Sequence, residues 1–262
     1  MTFDARLSAP ARIHRASRHP RSRMLWPGAW YSWPVTPTMD TILAELHCHT
    51  CYSKDSLMLL SRLIGLARRR GLQRLAITDH NVFDGARRAA EIDPELIIPG
   101  EEIMTTGGEL LAYYVREPIP PGLTPEKTID ILRQQGAVIG LAHPFDAIRA
   151  GHWDTAELRE ILPLVDAVEV FNARVATPAQ NRRAAEVADA AHKPGIAGSD
   201  AHAYLEVGRA TTRLPTFSDA ASLRTALASC KVYGRLSPYW VHLLSRYAAW
   251  RKKSGWRMSP GT

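Results

Sequence analysis

From Thr41 onwards, short apolar runs alternate with longer segments in which apolar residues recur every three or four positions. Short apolar runs are typical of buried strands, and the longer period is typical of amphipathic helices. The alternation predicts βα units around a parallel sheet. The predicted strands are 43–47, 74–78, 95–103, 110–115, 137–142, 167–171 and 195–198. The predicted helices are 57–70, 84–91, 125–135, 155–162, 178–191 and 218–229.

The number of predicted strands limits the architecture. Seven strands in about 190 residues are few for an eight-stranded βα barrel, which typically takes ~250 residues. A smaller or distorted α/β barrel fits better. Barrels and open sheets of this kind bind ligands at the carboxyl ends of their strands, so functional residues are expected there.

Basic residues concentrate at the two ends of the chain. Residues 1–38 contain six arginines and one acid, and residues 231–262 contain seven basic residues and no acid, which leaves 20 basic and 25 acidic residues between them. We expect residues 1–38 to be a disordered extension, 39–230 to be the functional domain and 231–262 to be a helical segment packed on it. Ordered patterning begins just after Met39, which makes Met39 a candidate start of the natural chain. The acidic middle disfavours a long nucleic acid as partner.

The chain has three cysteines, Cys48, Cys51 and Cys230. They are too few for a disulfide framework, which predicts a reducing compartment and a cytoplasmic location. Cys48 and Cys51 have the C-x-x-C spacing of redox and zinc sites. Because no second cysteine pair exists, we interpret them as two small residues beside another site.

Histidines and carboxylates follow one predicted strand after another. His47 and His49 close the first strand, and side-chain alternation points both imidazoles to one face. Further residues of this kind lie at or just beyond the ends of predicted strands: Asp55, His80, Glu102, His143, Asp200 and His202. Crowded at one rim without cations, these groups would carry a large desolvation and repulsion cost. The pattern therefore predicts a polynuclear metal centre, and its imidazole and carboxylate donors suit Zn²⁺, Mn²⁺ or iron.

The strings LHCHTCYSKDS, ITDHN, IPGEEI, AHP, VEVFNAR and AGSDAH occur in this order between residues 46 and 202. Together they resemble the motifs of the polymerase and histidinol phosphatase (PHP) family, over roughly residues 43 to 230. The resemblance implies a distorted seven-stranded βα barrel of the TIM-barrel type, two or three divalent metals and phosphoester hydrolysis by a metal-activated hydroxide. By position, the family's ligands match His47, His49, Asp55, His80, Glu102, His143, Asp200 and His202.

Two glutamates are assigned by comparison with the family pattern. The family pattern places its bridging glutamate two residues after a glycine, so Gly100 selects Glu102 over Glu101. At the start of the following strand, many relatives carry a histidine where this chain has Glu109. Glu109 either serves as a carboxylate ligand or marks a weakened or lost metal site, and both alternatives stay open.

Several residues are candidates for acting on the substrate. His80, His202 and Asp55 are the nearest candidates for protonating the leaving group. Arg174 is the best placed planar donor for a substrate phosphate, with a structural ion pair as an equal alternative, and Lys54 and Arg209 are weaker candidates.

The C-terminal segment also has two interpretations. Trp240, Leu243, Leu244, Tyr247 and Trp250 fall on one helical face beside a run of basic residues. Such a stripe usually packs on its own domain, which we favour, although anionic lipid or nucleic acid could also bind it.

The sequence thus predicts a cytoplasmic, metal-dependent phosphoesterase acting on a small phosphorylated metabolite or nucleotide. Two alternatives remain. One is a single-strand exonuclease or oligonucleotide phosphodiesterase that uses the basic ends of the chain to attract its substrate. The other is a non-catalytic PHP scaffold with structural metals.

Overall fold

In a computed structural model of the protein, residues 40–146 and 151–255 are described. The expected N-terminal extension, residues 1–38, lies outside the described residues. Within these described residues, nine strands form one sheet in the order β7-β6-β5-β4-β3-β2-β1-β8-β9. The strands are β1 (Thr41–Glu45), β2 (Arg74–Ile77), β3 (Ile97–Met104), β4 (Glu109–Tyr113), β5 (Val138–Leu141), β6 (Ala167–Asn172), β7 (Gly195–Gly198), β8 (Ala210–Pro215) and β9 (Lys231–Gly234).

Helices connect most of these strands. They are α1 (Leu60–Arg69), α2 (Asp84–Ile92), α3 (Pro125–Gln135), α4 (Thr155–Ile161) with the short 3₁₀ helix Leu162–Leu164 after it, α5 (Pro178–Ala190), α6 (Ala220–Leu227) and α7 (Val241–Lys253). Local sequence sets several of these ends. The Thr124 hydroxyl accepts a hydrogen bond from the Lys127 backbone N–H at the start of α3, and Gly136 ends that helix with a φ of 77°.

The direction of β4 matters for the site. It runs antiparallel to both of its neighbours, β3 and β5, whereas β1–β2, β2–β3, β5–β6 and β6–β7 pair in parallel. The first residue of β4, Glu109, therefore lies at the same rim as the carboxyl ends of the parallel strands.

The sheet curls into a nearly closed barrel. Beyond β1 and β7 the chain continues this closure, because the Asp200 N–H donates to the His47 carbonyl (2.8 Å) and the His49 N–H donates to the Ala201 carbonyl (3.0 Å). Within the strands themselves, the Ala197 N–H of β7 donates to the Thr212 hydroxyl of β8 at 2.9 Å. These bonds bring the His47–His49 segment beside Asp200 and His202.

Two large apolar clusters, one on each side of the sheet, and a small third one form the core of the described residues. In β4, Leu110 and Ala112 belong to the cluster that packs under α1, α2 and α3, whereas Leu111 and Tyr113 belong to the cluster that includes Leu223 of α6. This alternation is the period of two expected for a strand that is buried on both faces. Apolar side chains therefore cover both faces of β4, and this packing holds its first residue, Glu109, in place at the rim.

The predicted α/β barrel class is confirmed, but the strand count of seven is wrong. The additional strands are β8 and β9, which form an antiparallel pair on the free side of β1. β9 lies beyond residue 230, so the C-terminal segment adds a strand to the sheet.

α7 forms where a helix was expected and packs on the domain, but four of the five residues of its aromatic stripe face outward and only Leu244 is partly buried. Trp240, Leu243, Tyr247 and Trp250 are each more than half exposed. The buried side of α7 consists of Val241, Ser245 and Ala248, whose short side chains let the helix approach the barrel closely. None of the described helices combines the length and the apolarity needed to cross a membrane.

Candidate metal centre

The site begins with the two histidines that follow β1. Their Nε2 atoms lie 3.1 Å apart, and both side chains are fully buried. The other ring nitrogens have partners outside the cluster: Nδ1 of His47 lies 2.9 Å from Glu169 Oε1, and Nδ1 of His49 lies 3.0 Å from Ser53 Oγ. These partners fix both rings with Nε2 facing inward, which is how imidazoles are held around a metal.

Glu102 of β3 lies at the middle of the cluster. Its Oε1 is 2.9 Å from His143 Nε2 and 3.3 Å from His47 Nε2. Its Oε2 is 2.8 Å from His80 Nδ1 and 3.3 Å from His49 Nε2. One carboxylate therefore touches four imidazoles, two on each oxygen. Glu101 points to the opposite face, where its Oε2 accepts a hydrogen bond from the Ile119 N–H at 3.3 Å.

The residues after β7 complete one side of the cluster. Asp200 Oδ1 lies 3.1 Å from His49 Nε2, and its backbone has a φ of 53°, a left-handed conformation that aspartate tolerates better than most residues. His202 Nε2 lies 3.3 Å from Asp55 Oδ2, which is also 3.8 Å from His80 Nε2. The side chains of Asp55 and His80 are 22% and 12% exposed, whereas the other ligand candidates are nearly inaccessible. Solvent therefore reaches the cluster on the side of Asp55 and His80.

Glu109 also faces the cluster. Its two carboxylate oxygens lie 3.7 Å from His80 Nδ1 and 3.5 Å from His143 Nε2. Gly151 packs against it closely, because a Cβ at that position would lie 2.1 Å from Glu109 Oε2. The carboxylate thus occupies the rim position that the reversed direction of β4 provides.

The donor atoms fit divalent metal ions. Four overlapping sets place their donor atoms within 4.8 Å of one another: His49, His80 and His202; His47, His49 and Asp200; His47, Glu102 and His143; and His80, Glu102 and Glu109. One buried carboxylate oxygen in this region, Asp55 Oδ1, accepts no hydrogen bond within the described part of the chain. Buried carboxylate oxygens normally have partners, and a cation would supply one here.

The electrostatics of the cluster are those of strongly interacting charges. Burial opposes ionisation of Glu102, but the adjacent His47 and His80 outweigh it and hold the pKa of Glu102 well below its usual range. Burial likewise opposes protonation of His47, yet the charges of Glu102, Glu169 and Asp200 raise its pKa. Burial and the neighbouring His202 and His80 lower the pKa of His49. The Glu102 carboxylate is thus kept ionised, as a metal ligand must be.

Sequence reasoning missed the residues that support the ligands. Glu169 accepts through its second oxygen from the His143 backbone N–H (2.8 Å), so it positions two of the histidines. Asp79 organises the loop after β1, because its carboxylate accepts from the Thr50 N–H (2.6 Å) and the Ser53 hydroxyl (2.6 Å). Glu169 and Asp79 lie within the motifs VEVFNAR and ITDHN, but only the three-dimensional contacts show which residues they position.

The three predicted phosphate-binding residues lie in different surroundings. Lys54 is exposed beside Asp55. Arg174 is only 4% exposed and is engaged by protein groups: it donates to Ser245 Oγ (2.9 Å) and lies 3.6 Å from Glu206 Oε1. Arg209 donates to the Leu236 carbonyl at 2.5 Å. The geometry favours the structural alternative for Arg174, and of the three only Lys54 is exposed.

The cysteine pair shows no sign of reactivity. Cys48 and Cys51 are free and buried, and burial raises the pKa of both thiols, that of Cys51 to about 11. Reactive cysteines require a lowered thiol pKa. The structure therefore places Cys48 and Cys51 as buried residues beside the histidines.

Fold and site together define a class: a nearly closed α/β barrel with a buried histidine and carboxylate cluster at one rim, suited to divalent metals. Residues 45–106 match the model of the PHP domain, and residues 178–232 match that of the PHP-associated domain, PHP_C. The chain belongs to the PHP family, as the sequence motifs predict.

The chain is also similar to several individual proteins. The uncharacterized protein MJ1587 of Methanocaldococcus jannaschii is 35% identical over 144 residues, which cover 50% of this chain and 81% of that protein. The uncharacterized protein MJ0417 of the same organism is 37% identical over 169 residues, which cover 63% and 68%. A Bacteroides vulgatus structure, described as a two-domain protein containing a predicted PHP-like metal-dependent phosphoesterase, has a TM-score of 0.61 at 20% identity. The match covers 79% of this chain and 70% of that one.

Proposed function

We propose that this protein is a metal-dependent phosphoesterase that hydrolyses a small phosphorylated metabolite or nucleotide. The observation that carries the proposal is the contact of the single Glu102 carboxylate with four imidazoles, surrounded by Asp55, Asp200 and Glu109. Such a donor set is suited to two or three Zn²⁺, Mn²⁺ or iron ions. The similar fold of the Bacteroides vulgatus protein, which contains a predicted PHP-like metal-dependent phosphoesterase, supports the same activity.

The ions would be held by His47, His49, His143, Glu102, Glu109, Asp200, His202, His80 and Asp55. Bound there, the ions would lower the pKa of an attacking water and neutralise charge on the phosphoryl oxygens. Glu169 and Ser53 keep the inward nitrogens of His47 and His49 in place, so these rings need not reorganise during the reaction.

The open side of the cluster supplies the proton donors. Asp55 and His80 are its most accessible members, and His202 lies within 3.3 Å of Asp55. A leaving-group oxygen that enters from solvent meets these side chains first. Burial opposes ionisation of Asp55, but His202 and His80 hold its pKa well below its usual range, so His80 and His202, through a ring nitrogen that holds no ion, are the candidate proton donors. Lys54, exposed next to Asp55, would attract the substrate phosphate.

The recessed position of the ligands supports a small substrate. Most ligand candidates are almost fully buried, and the body of the chain between residues 39 and 230 carries more acidic than basic residues. A duplex would need several cations along its backbone to offset its phosphates. A small phosphate ester needs only to reach Asp55 and His80.

The test is hydrolysis of p-nitrophenyl phosphate with added Mn²⁺ by the wild-type protein, Asp200→Ala and His47→Ala, with metal content measured in parallel. Metal-stimulated turnover that both substitutions abolish is expected. Turnover that is absent, or unchanged in both variants, would favour the non-catalytic scaffold. A panel of phosphorylated metabolites and short oligonucleotides identifies the substrate class, and clearly faster cleavage of the oligonucleotides would favour the exonuclease alternative.

A further inference from the structure

The outer face of α7 concentrates exposed apolar side chains. We define this face as Trp240, Leu243, Tyr247 and Trp250, which are 51%, 61%, 53% and 59% exposed. Tyr239, immediately before them, is 73% exposed. Elsewhere in the described chain, exposed large apolar residues occur only singly, at Ile92, Leu164, Leu205 and Tyr233, and only Ile92 is more than half exposed. Clustered exposed apolar residues mark interaction surfaces, whereas single ones are normal.

The opposite side of α7 is fastened to the barrel, so the helix cannot roll to bury its outer face. Ser245 accepts a hydrogen bond from the buried Arg174 guanidinium at 2.9 Å. Lys252 donates to the Cys51 carbonyl at 2.6 Å and also to the Ser53 carbonyl. Val241 and Ala248 are buried between these contacts. The aromatic residues are therefore presented outward by a helix that is anchored at both ends.

Basic residues border the outer face. At 100° per residue, Arg246 and Lys253 fall on one edge of the apolar arc and Arg251 falls on the other. The whole segment from 231 to 262 contains no acidic residue. Tryptophan, tyrosine and leucine flanked by arginine and lysine on a helix of low overall hydrophobicity are the composition of helices that lie in the interface of an anionic membrane.

We propose that the outer face of α7 docks the protein on the surface of an anionic phospholipid bilayer. Charge complementarity decides among the possible occupants. Residues 1–38 of this chain carry an excess of arginine, and a second copy of α7 would bring the same positive edges together, so both would be repelled.

A single-stranded nucleic acid is also anionic, but the geometry fits it less well. Bases stack on aromatic platforms while cations track the backbone along a groove. Here the centre of the face is Leu243, which offers no ring, and the cations stand on both edges of a convex helix. Interfacial helices place their apolar residues in the acyl boundary and their cations among the headgroups on either side, which matches this arrangement.

The proposal is tested by co-sedimentation of the full-length protein with phosphatidylcholine vesicles that contain no charged lipid or about 30 mol% phosphatidylserine. Binding to the charged vesicles alone is expected, and it should weaken strongly in about 0.5 M salt because the flanking cations are then screened. Trp250→Glu and Leu243→Glu should each bind at least about tenfold more weakly.

The matched control is Ile92→Glu, which replaces an exposed apolar residue of α2 by the same charged side chain. It should bind vesicles like the wild type, and circular dichroism should show all three variants folded. The proposal is overturned if the wild type ignores phosphatidylserine, binds neutral vesicles equally well, or loses binding equally in Ile92→Glu. It is also overturned if Trp250→Glu leaves vesicle binding intact and instead abolishes a concentration-dependent dimer or binding of oligo(dT).

Discussion

The carboxylate of Glu169 lies 2.9 Å from Nδ1 of His47 and accepts a hydrogen bond from the His143 backbone N–H at 2.8 Å. One buried carboxylate thus holds two residues of the candidate metal centre without touching the donor atoms themselves. We expect Glu169→Gln to weaken divalent metal binding by about 10–100-fold, because the His47 ring loses a charged partner that fixes its orientation and its basicity. Titration of the metal-free protein with Mn²⁺ and Zn²⁺ measures this change. Unchanged affinity in a folded Glu169→Gln protein would show that the contact with His47 has no influence on the site.

Glu101 and Glu102 are adjacent and lie on opposite faces of β3, so the same substitution can be compared at the two positions. Glu102→Gln removes the charge that contacts four imidazoles, so we expect loss of bound metal and at least about a hundredfold fall in phosphoesterase turnover. Glu101→Gln makes the same chemical change one residue away on the face without ligands, and both metal content and turnover should stay near the wild-type values. Equal losses in the two variants would indicate damage to the fold of β3 rather than removal of a ligand.

The same Glu101 gives a prediction for stability against pH. Burial raises the pKa of Glu101 from 4.5 to about 7, with the Ile119 N–H only partly offsetting the effect. Because the folded-state pKa lies above the unfolded one, the associated stability is complete below pH 4.5 and is lost as the pH rises through about 7. The full difference is of order 3 kcal/mol. Glu101→Gln should therefore be more stable than the wild type at pH 8, by about 1–3 kcal/mol in urea unfolding, and close to it near pH 5. A benefit that does not depend on pH would contradict this account.

Lys252 gives a prediction about the anchoring of α7. Its ammonium group donates to the Cys51 and Ser53 carbonyls in the loop that also carries the partner of His49. We expect Lys252→Met to lower the free energy of unfolding by about 1–3 kcal/mol, since two buried carbonyls lose a charged donor. Lys253→Met removes an adjacent exposed lysine and should change stability by less than about 0.5 kcal/mol. Thermal unfolding of the two variants side by side makes the comparison, and equal stabilities would exclude an anchoring role for Lys252.

The sequence predicts much of the site because alternation along a strand is a strong rule. His47 and His49 are two residues apart, so they are expected on the same face of the strand. The carboxyl ends of parallel strands are expected at the same rim of the barrel. The position of Glu109 could not be derived in this way, because nothing in the string ELLAY says that β4 runs against its neighbours. Its place at the rim comes from pairing in three dimensions.

The features that the sequence did not predict correctly also have specific physical causes. Exposed charged positions, Arg213 in β8 and Lys231 in β9, interrupt the apolar pattern of these two strands. In α7, hydrophobicity pointed to the aromatic stripe as the packed side, but the small residues Ser245 and Ala248 allow closer contact with the barrel. Glu169 escaped notice because a lone glutamate within a strand carries no spacing signal.

The central claim is that side chains distant in the sequence bind divalent ions around Glu102. The most direct test is anomalous diffraction from crystals grown with excess Mn²⁺, combined with elemental analysis of the same protein. We expect two or three manganese peaks, each bound by histidines and carboxylates that surround Glu102. Crystals without anomalous density at Glu102, from protein that retains less than one metal ion per chain, would contradict it.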